Sequence, residues 1–284
     1  MSGGWWNEAA RRFGADKVAV AAALAVLVLV LLALLGGALN PNDAQALDWS
    51  RIATAPALAH AHWFGTDRLG RDLFVRTLAG ARLSLSIGLV ATAVSVGIGV
   101  SYGAVAGYCG GRIDQLMMRL IETLSGLPLI FFVIFLTVIV GNSLLLLFAA
   151  IGAVGWLTMA RIVRGLTLSI RQKEYIEAAR AGGLTASRIV LRHVVPNLLG
   201  PVIVYATLTI PQVVLFESFL SFLGLGVQEP RASLGTLIAE GAAEMESAAW
   251  MLLIPGAFLT LLLLSLNLVG DGLRDALDES AHVR

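Results

Sequence analysis

Residues Val18–Leu39 form an apolar run without a single charge, and about 20 such residues are enough to cross the hydrocarbon core of a bilayer as a helix. Five further stretches have the same character, at about Leu83–Tyr108, Leu124–Val140, Ser143–Ala160, Leu198–Phe222 and Trp250–Val269. Inside hydrocarbon every backbone amide must find its partner within the protein, so runs of this kind become helices. The composition agrees: 57% of residues are hydrophobic and 14% charged, where a soluble chain has roughly 45–50% and about 25%. The expected fold class is therefore an all-α integral membrane protein with six transmembrane helices. Only Gly141-Asn142 separates the third run from the fourth, which reads as a tight helical hairpin. Pro128, Pro201, Pro211 and Pro255 lie in or beside runs, where packed neighbours satisfy the carbonyls that proline frees.

Charge placement gives the orientation. With a cytoplasmic N-terminus, six spans put segments 1–17, 109–123, 161–197 and 270–284 inside, and these hold 14 of the 20 Lys and Arg. The other six, Arg51, Arg68, Arg71, Arg76, Arg82 and Arg231, fall outside. The bias follows the positive-inside rule and sets both termini in the cytoplasm. Arg11, Arg12 and Lys17 before the first run fit a signal peptide too, but that run exceeds the roughly 7–15 residues of a cleaved core. The single cysteine, Cys109, excludes an intrachain disulfide and reads as a small packing residue.

Segment 161–197 is the most informative. Glu174-Tyr175-Ile176-Glu177-Ala178-Ala179-Arg180-Ala181 suits a short helix. Gly182-Gly183 ends it, since glycine tolerates the left-handed conformation there. Thr185 then caps a second helix carrying Ile189, Val190 and Val194 toward Pro196. Ala178, Ala179 and Ala181 leave room for another backbone, and Glu177 offers an anion to a basic group. An ordinary connector rich in alanine for helicity has the same sequence, and spacing alone leaves both readings standing. Gly270-Asp271-Gly272, where the sixth run ends, reads as a helix stop.

Glu177-Ala178-Ala179, Gly183 and Pro196 stand at the spacing of the Glu-Ala-Ala motif of bacterial importer permeases. His193 replaces the usual Ile and Val195 the usual Leu. Further stretches, His62 to Asp72, Gly107 to Asp114, Leu220 to Gly226 with Glu229-Pro230, and Asn267 to Asp278, resemble in the same order the C-type permease subunits of dipeptide, oligopeptide and nickel ABC importers. Val163-Arg164-Gly165 and Phe216 to Ser221 resemble the oligopeptide branch most. The resemblance implies a type I ABC importer permease fold: a cytoplasmic N-terminus 1–17, a first helix 18–39, an extracytoplasmic loop 40–82, a five-helix transmembrane domain 83–270 and a tail 271–284. The loop at about 161–197 would be the coupling loop, with Glu177, Ala178, Ala179 and Gly183 touching an ATPase. The implied partners are a second, homologous permease subunit, two ATPase subunits carrying ATP and Mg, an extracytoplasmic peptide-binding protein and membrane lipid, in the cytoplasmic (inner) membrane. No nucleic acid is implied. Oligopeptides are the expected cargo, with dipeptides, glutathione and nickel chelates open.

The residues exclude several chemistries. A phosphate loop needs Gly-x-x-x-x-Gly-Lys-[Ser/Thr], and the only lysines, Lys17 and Lys173, follow Asp16 and Gln172. Hence the chain is read as a transport subunit, not an enzyme, with no cofactor of its own. The spans hold no His-Glu-x-x-His and no Gly-x-Ser-x-Gly for a membrane protease. A secondary transporter or channel typically places several charges at the midplane; here Glu217 is the one carboxylate in a span. It reads either as a group lining the translocation path or as one reaching the interface or a partner subunit. Asp67, Arg68, Arg71 and Asp72 read either as pairing with one another or as contacting a docked binding protein. His60 and His62 make a His-x-His pair short of the three or four ligands of a metal site, so no metal is expected.

Overall fold

The computed structural model describes residues 3–40, 42–57, 62–128, 131, 134, 135, 139 and 144–277. Helix α1 (Gly3–Ala15) leads into α2 (Lys17–Leu39), and after a long irregular segment come α3 (Leu73–Cys109) and α4 (Gly111–Ser125). Helix α5 (Leu144–Arg171) precedes two short helices, α6 (Glu174–Ala181) and α7 (Ala186–Ile189). A π-turn, Val190–Val194, joins α7 to α8 (Val195–Phe222), and α9 (Leu234–Ala243) and α10 (Trp250–Leu277) follow. The described residues form no strand beyond two isolated bridges. Much of the third apolar run beyond Pro128, and its hairpin with the fourth, lie outside the described residues.

Among the described residues four helical stretches are long and apolar enough to cross a membrane: Lys17–Gly37, Leu73–Cys109, Ala186–Phe222 and Trp250–Leu277. Helix α3 is the axis of the bundle, packed along α5 and α8, while α10 packs on α2, α8 and α9. The α3–α5 contact is close because Ser95, Gly99, Gly103 and Gly107 repeat every four residues on one face. A Cβ at Gly99, Gly103 or Gly107 would meet Met159, Ala160, Val163, Arg164 or Thr167 of α5. Small residues at this spacing let spanning helices approach by backbone.

Helix ends depart from the sequence reading in instructive ways. The second span begins as helix at Leu73, because the Asp72 carboxylate caps it, accepting from the Val75 amide at 2.9 Å. Gly270-Asp271-Gly272 does not stop the last helix, which continues to Leu277. Those glycines instead face neighbours: Gly270 lies against Leu208, and Gly272 against Ala19 and Phe13. The N-terminal segment is helical rather than a plain basic flank, and Asp16 caps α2 by accepting from Val18 at 2.8 Å and Ala19 at 3.2 Å. Cys109 is exposed at the end of α3 rather than packed.

Candidate functional site

Helix α6 is seated by one face and free on the other. Ile176 is fully buried in a cluster with Tyr108, Val163, Ile189, Val194, Leu198 and Val202. Ala179 and Leu184 pack on the same cluster. The opposite face leaves Glu174, Tyr175, Glu177, Ala178 and Ala181 exposed. Glu174 and Glu177 lie in the first turn, where a carboxylate is favoured by the unpaired amides of the helix start. Arg180 reaches back over the Tyr108 ring, 5.8 Å from its centre.

The turn after α6 explains Gly183. Its amide donates to Arg180 O at 3.0 Å, and the Leu184 amide donates to Ala179 O at 3.2 Å. This is a Schellman end, whose residue past the cap must be left-handed. Gly183 has φ +81°, while Gly182 is right-handed at −73°. Leu184 and Ala179 make the accompanying apolar contact. No atom lies within 4 Å of where a Gly183 Cβ would stand, so backbone conformation rather than space selects glycine there.

The second helix of this segment is not separate, because Thr185 opens a helical run that continues through α8. The π-turn at Val190–Val194 carries the Val195 amide to Val190 O, one residue further back than in an α-helix. Pro196, lacking an amide, follows at once and cannot continue the regular pattern. His193 sits on this turn, and its carbonyl accepts from the Asn197 amide group at 2.6 Å. Four elements of the family-like motif, Glu177, Ala178, Ala179 and Gly183, thus share one small surface, while Pro196 belongs to the root of α8.

At the other end of the molecule the charged stretch before α3 folds inward. Asp67 accepts from the Leu69 and Arg71 amides at 2.8 and 2.9 Å and from Arg71 Nε at 2.6 Å. Arg71 Nη2 also reaches Glu229 at 3.3 Å and Glu240 at 3.4 Å. Arg76 Nη2 donates to both Glu240 oxygens, at 3.0 and 3.1 Å, and its Nε lies 3.3 Å from Asp67. Burial works against the Arg71 charge, but Asp67, Glu240 and Glu229 outweigh it and hold its pKa up. Burial raises the Glu240 pKa, against the pull of Arg76 and Arg71. Asp72 accepts from Asn42 at 3.0 Å and meets His62 Nδ1 at 2.7 Å. Asp67, Arg71 and Asp72 are therefore buried, tied up in pairing, and only Arg68 of the four remains exposed, 3.9 Å from Glu229. The expectation of a four-residue docking patch narrows to Arg68.

Glu217 lies fully buried in α8, within this chain's own packing. Its carboxylate accepts from Ser84 Oγ and Ser221 Oγ, each at 2.7 Å, with Ser218 Oγ at 3.5 Å. Ser84 Oγ in turn accepts from the Leu234 amide at 3.4 Å, and Ser221 Oγ from the Val227 amide at 3.1 Å. A buried carboxylate without a cation is held by hydroxyls, as burial of charge requires. The cage ties α8 to α3 and to the start of α9. His62 is occupied by Asp72, His60 lies outside the described residues, and no group of three metal-ligating side chains occurs among the described residues.

Residues 99–283 match the family described as binding-protein-dependent transport system inner membrane component. Residues 4–56 match the N-terminal TM domain of oligopeptide transport permease C. Over 273 residues, 96% of this chain, the sequence is 49% identical to the oligopeptide transport system permease protein OppC of Haemophilus influenzae, covering 88% of it. It is 50% identical over the same length to OppC of Escherichia coli K12, covering 90% of it. Identity to the dipeptide transport system permease protein DppC of Bacillus subtilis is 44%, covering 96% of this chain and 85% of that one. Among solved structures, a chain of the MetNI methionine ABC transporter in an inward-facing form superposes with a TM-score of 0.57 at 20% identity, covering 72% of this chain and 97% of that one. That likeness is one of fold.

Proposed function

The chain belongs to the family of binding-protein-dependent transport system inner membrane components, and on that premise we propose that it is a permease subunit of an ATP-driven oligopeptide importer. Half-identity to oligopeptide permeases across 96% of the chain carries this reading. In the proposed assembly six helices cross the cytoplasmic membrane with both termini inside. A second permease subunit completes the path, two ATPase subunits bind ATP and Mg, and an extracytoplasmic binding protein delivers peptide. The chain itself makes and breaks no covalent bond.

Helix α6 is the contact with an ATPase in this reading. Ala178 and Ala181 leave its outer face shallow, Glu177 supplies the charge, and Ile176 anchors it to the base of α8. ATP binding that draws two such loops together would tilt α8 and rock the bundle between inward and outward access. Arg68 and Glu229 remain as polar contacts for a binding protein on the outer face.

The test is ATP-driven uptake of labelled peptides into proteoliposomes holding the complete importer. Uptake should require the binding protein and ATP, and Glu177→Lys should reduce it while leaving the chain inserted in the membrane. Unimpaired uptake and ATPase coupling in Glu177→Lys would remove Glu177 from the contact. Dipeptide import is the second reading, supported by 44% identity to DppC. Competition between dipeptides and longer peptides separates the two.

A further inference from the structure

A cavity of about 670 Å³ opens between α4 and α5, lined by Arg112, Arg119, Glu122, Arg161, Arg164 and the side chains of Gln115, Leu116 and Met118. Four guanidinium groups around one hollow repel one another unless anions lie among them. Two are already engaged. Arg164 is bound by both Asp114 oxygens, at 2.5 and 2.6 Å. Arg161 donates from Nη2 to Ser125 Oγ at 2.9 Å and from Nε to Leu157 O at 3.4 Å, contacts with neutral oxygens. Arg112 and Arg119 have no side-chain partner within hydrogen-bond distance among the described residues. They stand seven residues apart on one helix, so they share a face at a spacing of roughly 10 Å. With Glu122 and Asp114 counted, the hollow keeps two positive charges in excess.

The same helix carries a second, independent feature. Ile113, Leu116, Leu120 and Leu124 are exposed at helical spacing beside the arginine face, Leu116 at 73%. Ile121 and Met118 hold the opposite side of α4 against Leu157 and Ala160 of α5 and Ala106 of α3. Helix α4 follows directly on the inner end of α3, and its last turn, from Leu124, enters the third apolar run. It therefore lies at the level where headgroups meet acyl chains, with cations on one flank and bare leucines on the next.

We propose that this cavity binds the phosphodiester of an anionic phospholipid of the cytoplasmic leaflet, held by Arg112, Arg119 and Arg161, with its acyl chains on the Leu116–Leu120–Leu124 stripe. Guanidinium groups suit a phosphate because their paired N–H donors match its oxygens. A free phosphate would satisfy the arginines alone and leave the leucines bare. The inference rests on the orientation given under Proposed function, which places α4 inside, and it is read by lipid binding rather than by uptake.

The experiment uses the complete importer in nanodiscs of phosphatidylcholine with a minor fraction of phosphatidylglycerol, followed by native mass spectrometry of retained lipid. Phosphatidylglycerol should be retained over phosphatidylcholine. The double variant Arg112→Gln/Arg119→Gln should hold it roughly thirtyfold more weakly, Arg112→Lys/Arg119→Lys, which keeps the charges without the paired donors, should recover only part of the binding, and Arg188→Gln, an exposed arginine elsewhere inside, should change nothing. Inorganic phosphate at millimolar concentration should not displace the lipid. Equal retention of both lipids, or unchanged retention in the double Gln variant, overturns the proposal. So does displacement by phosphate alone, which would make the site one for a soluble anion. Loss of the second permease from the double Gln variant, without any lipid signal in the wild type, would assign the arginines to a subunit contact instead. Failed uptake with normal lipid retention would count against the transport reading alone.

Discussion

Replacing Arg76 with Met tests the buried ion cluster at the start of α3 most directly. Its side chain is 1% exposed, Asp67 also 1%, and Glu240 12%, so the cluster belongs to the buried regime rather than that of surface pairs worth about 0–1 kcal/mol. Asp67, Arg71, Arg76 and Glu240 balance in charge, and removing Arg76 leaves Glu240 with only the 3.4 Å contact to Arg71. Breaking a buried pair from one side costs about 3–5 kcal/mol. Most of that should appear as opening of α9, which Glu240 fastens to α3. Amide exchange of Leu234–Ala243 should rise roughly 100- to 4,000-fold. Arg76 is itself poorly satisfied, since its Nε and Nη1 have no hydrogen-bond partner. Removing both ends with Arg76→Met/Glu240→Leu therefore leaves the 2.6 Å Asp67–Arg71 pair intact, and an apolar replacement of a buried pair is often neutral or better. Exchange in the double variant should return to within about tenfold of wild type. Less than about fivefold change in the single variant, or additive effects in the double, would refute the argument that these charges act as one buried unit.

Gly183→Ala should destabilise the end of α6 by about 1–2 kcal/mol, because a side chain resists the left-handed backbone, whereas Gly182→Ala should be near neutral; binding-protein-stimulated ATPase activity would report the difference. Glu217→Gln should preserve assembly with its partners, because Ser84, Ser218 and Ser221 can hydrogen-bond an amide oxygen, while Glu217→Leu should lower the thermal stability of the assembled complex by leaving buried hydroxyls unpaired; equal stability of the two would remove the cage from the account. Because the folded Glu240 pKa is raised above the ordinary value, the folded state binds its proton first, so lowering the pH from neutrality toward that range should strengthen α9 docking through this group. Amide exchange of α9 corrected for pH would show it, and weaker protection in acid would contradict the sign.

The sequence made the four long apolar helices legible because hydropathy is local, and it made the end of α6 legible because Gly183 must satisfy one turn. Contacts between distant segments left no such mark. Arg76 and Glu240 are separated by 164 residues, and Ser84 and Glu217 by 133, so no periodicity announces either pair. Part of the cage was within reach, since Ser221 lies four residues from Glu217, on its own helix face. Gly270-Asp271-Gly272 misled for a related reason: the same glycines that end a helix in water admit Leu208, Ala19 and Phe13 in a bundle. Likewise Asp67–Asp72 looks like exposed loop chemistry until Glu229 and Glu240 arrive from the far end of the chain.

One element joins the two ends of the molecule. The run Ala186–Phe222 is 37 residues long, or about 55 Å as a helix. Its base shares a cluster with Ile176 of α6, and Glu217 near its top is bound to α3 and, through Ser84, to α9. In the proposed importer a push on α6 reaches the outer cage only as far as this helix stays stiff. The π-turn at Val190–Val194 and the prolines at 201 and 211 are the places where its backbone pairing is altered. Thr207 and Thr209, between the two prolines, donate to the carbonyls four residues back, at 2.9 and 2.7 Å, a contact that slightly loosens and bends a helix. No proline or π-turn interrupts the stretch above Pro211 that carries Glu217, while the altered positions run from Val190 up to Pro211. Movement at α6 is therefore expected to bend the helix between Val190 and Pro211, and to turn the part above Pro211, with the Glu217 cage, as a unit.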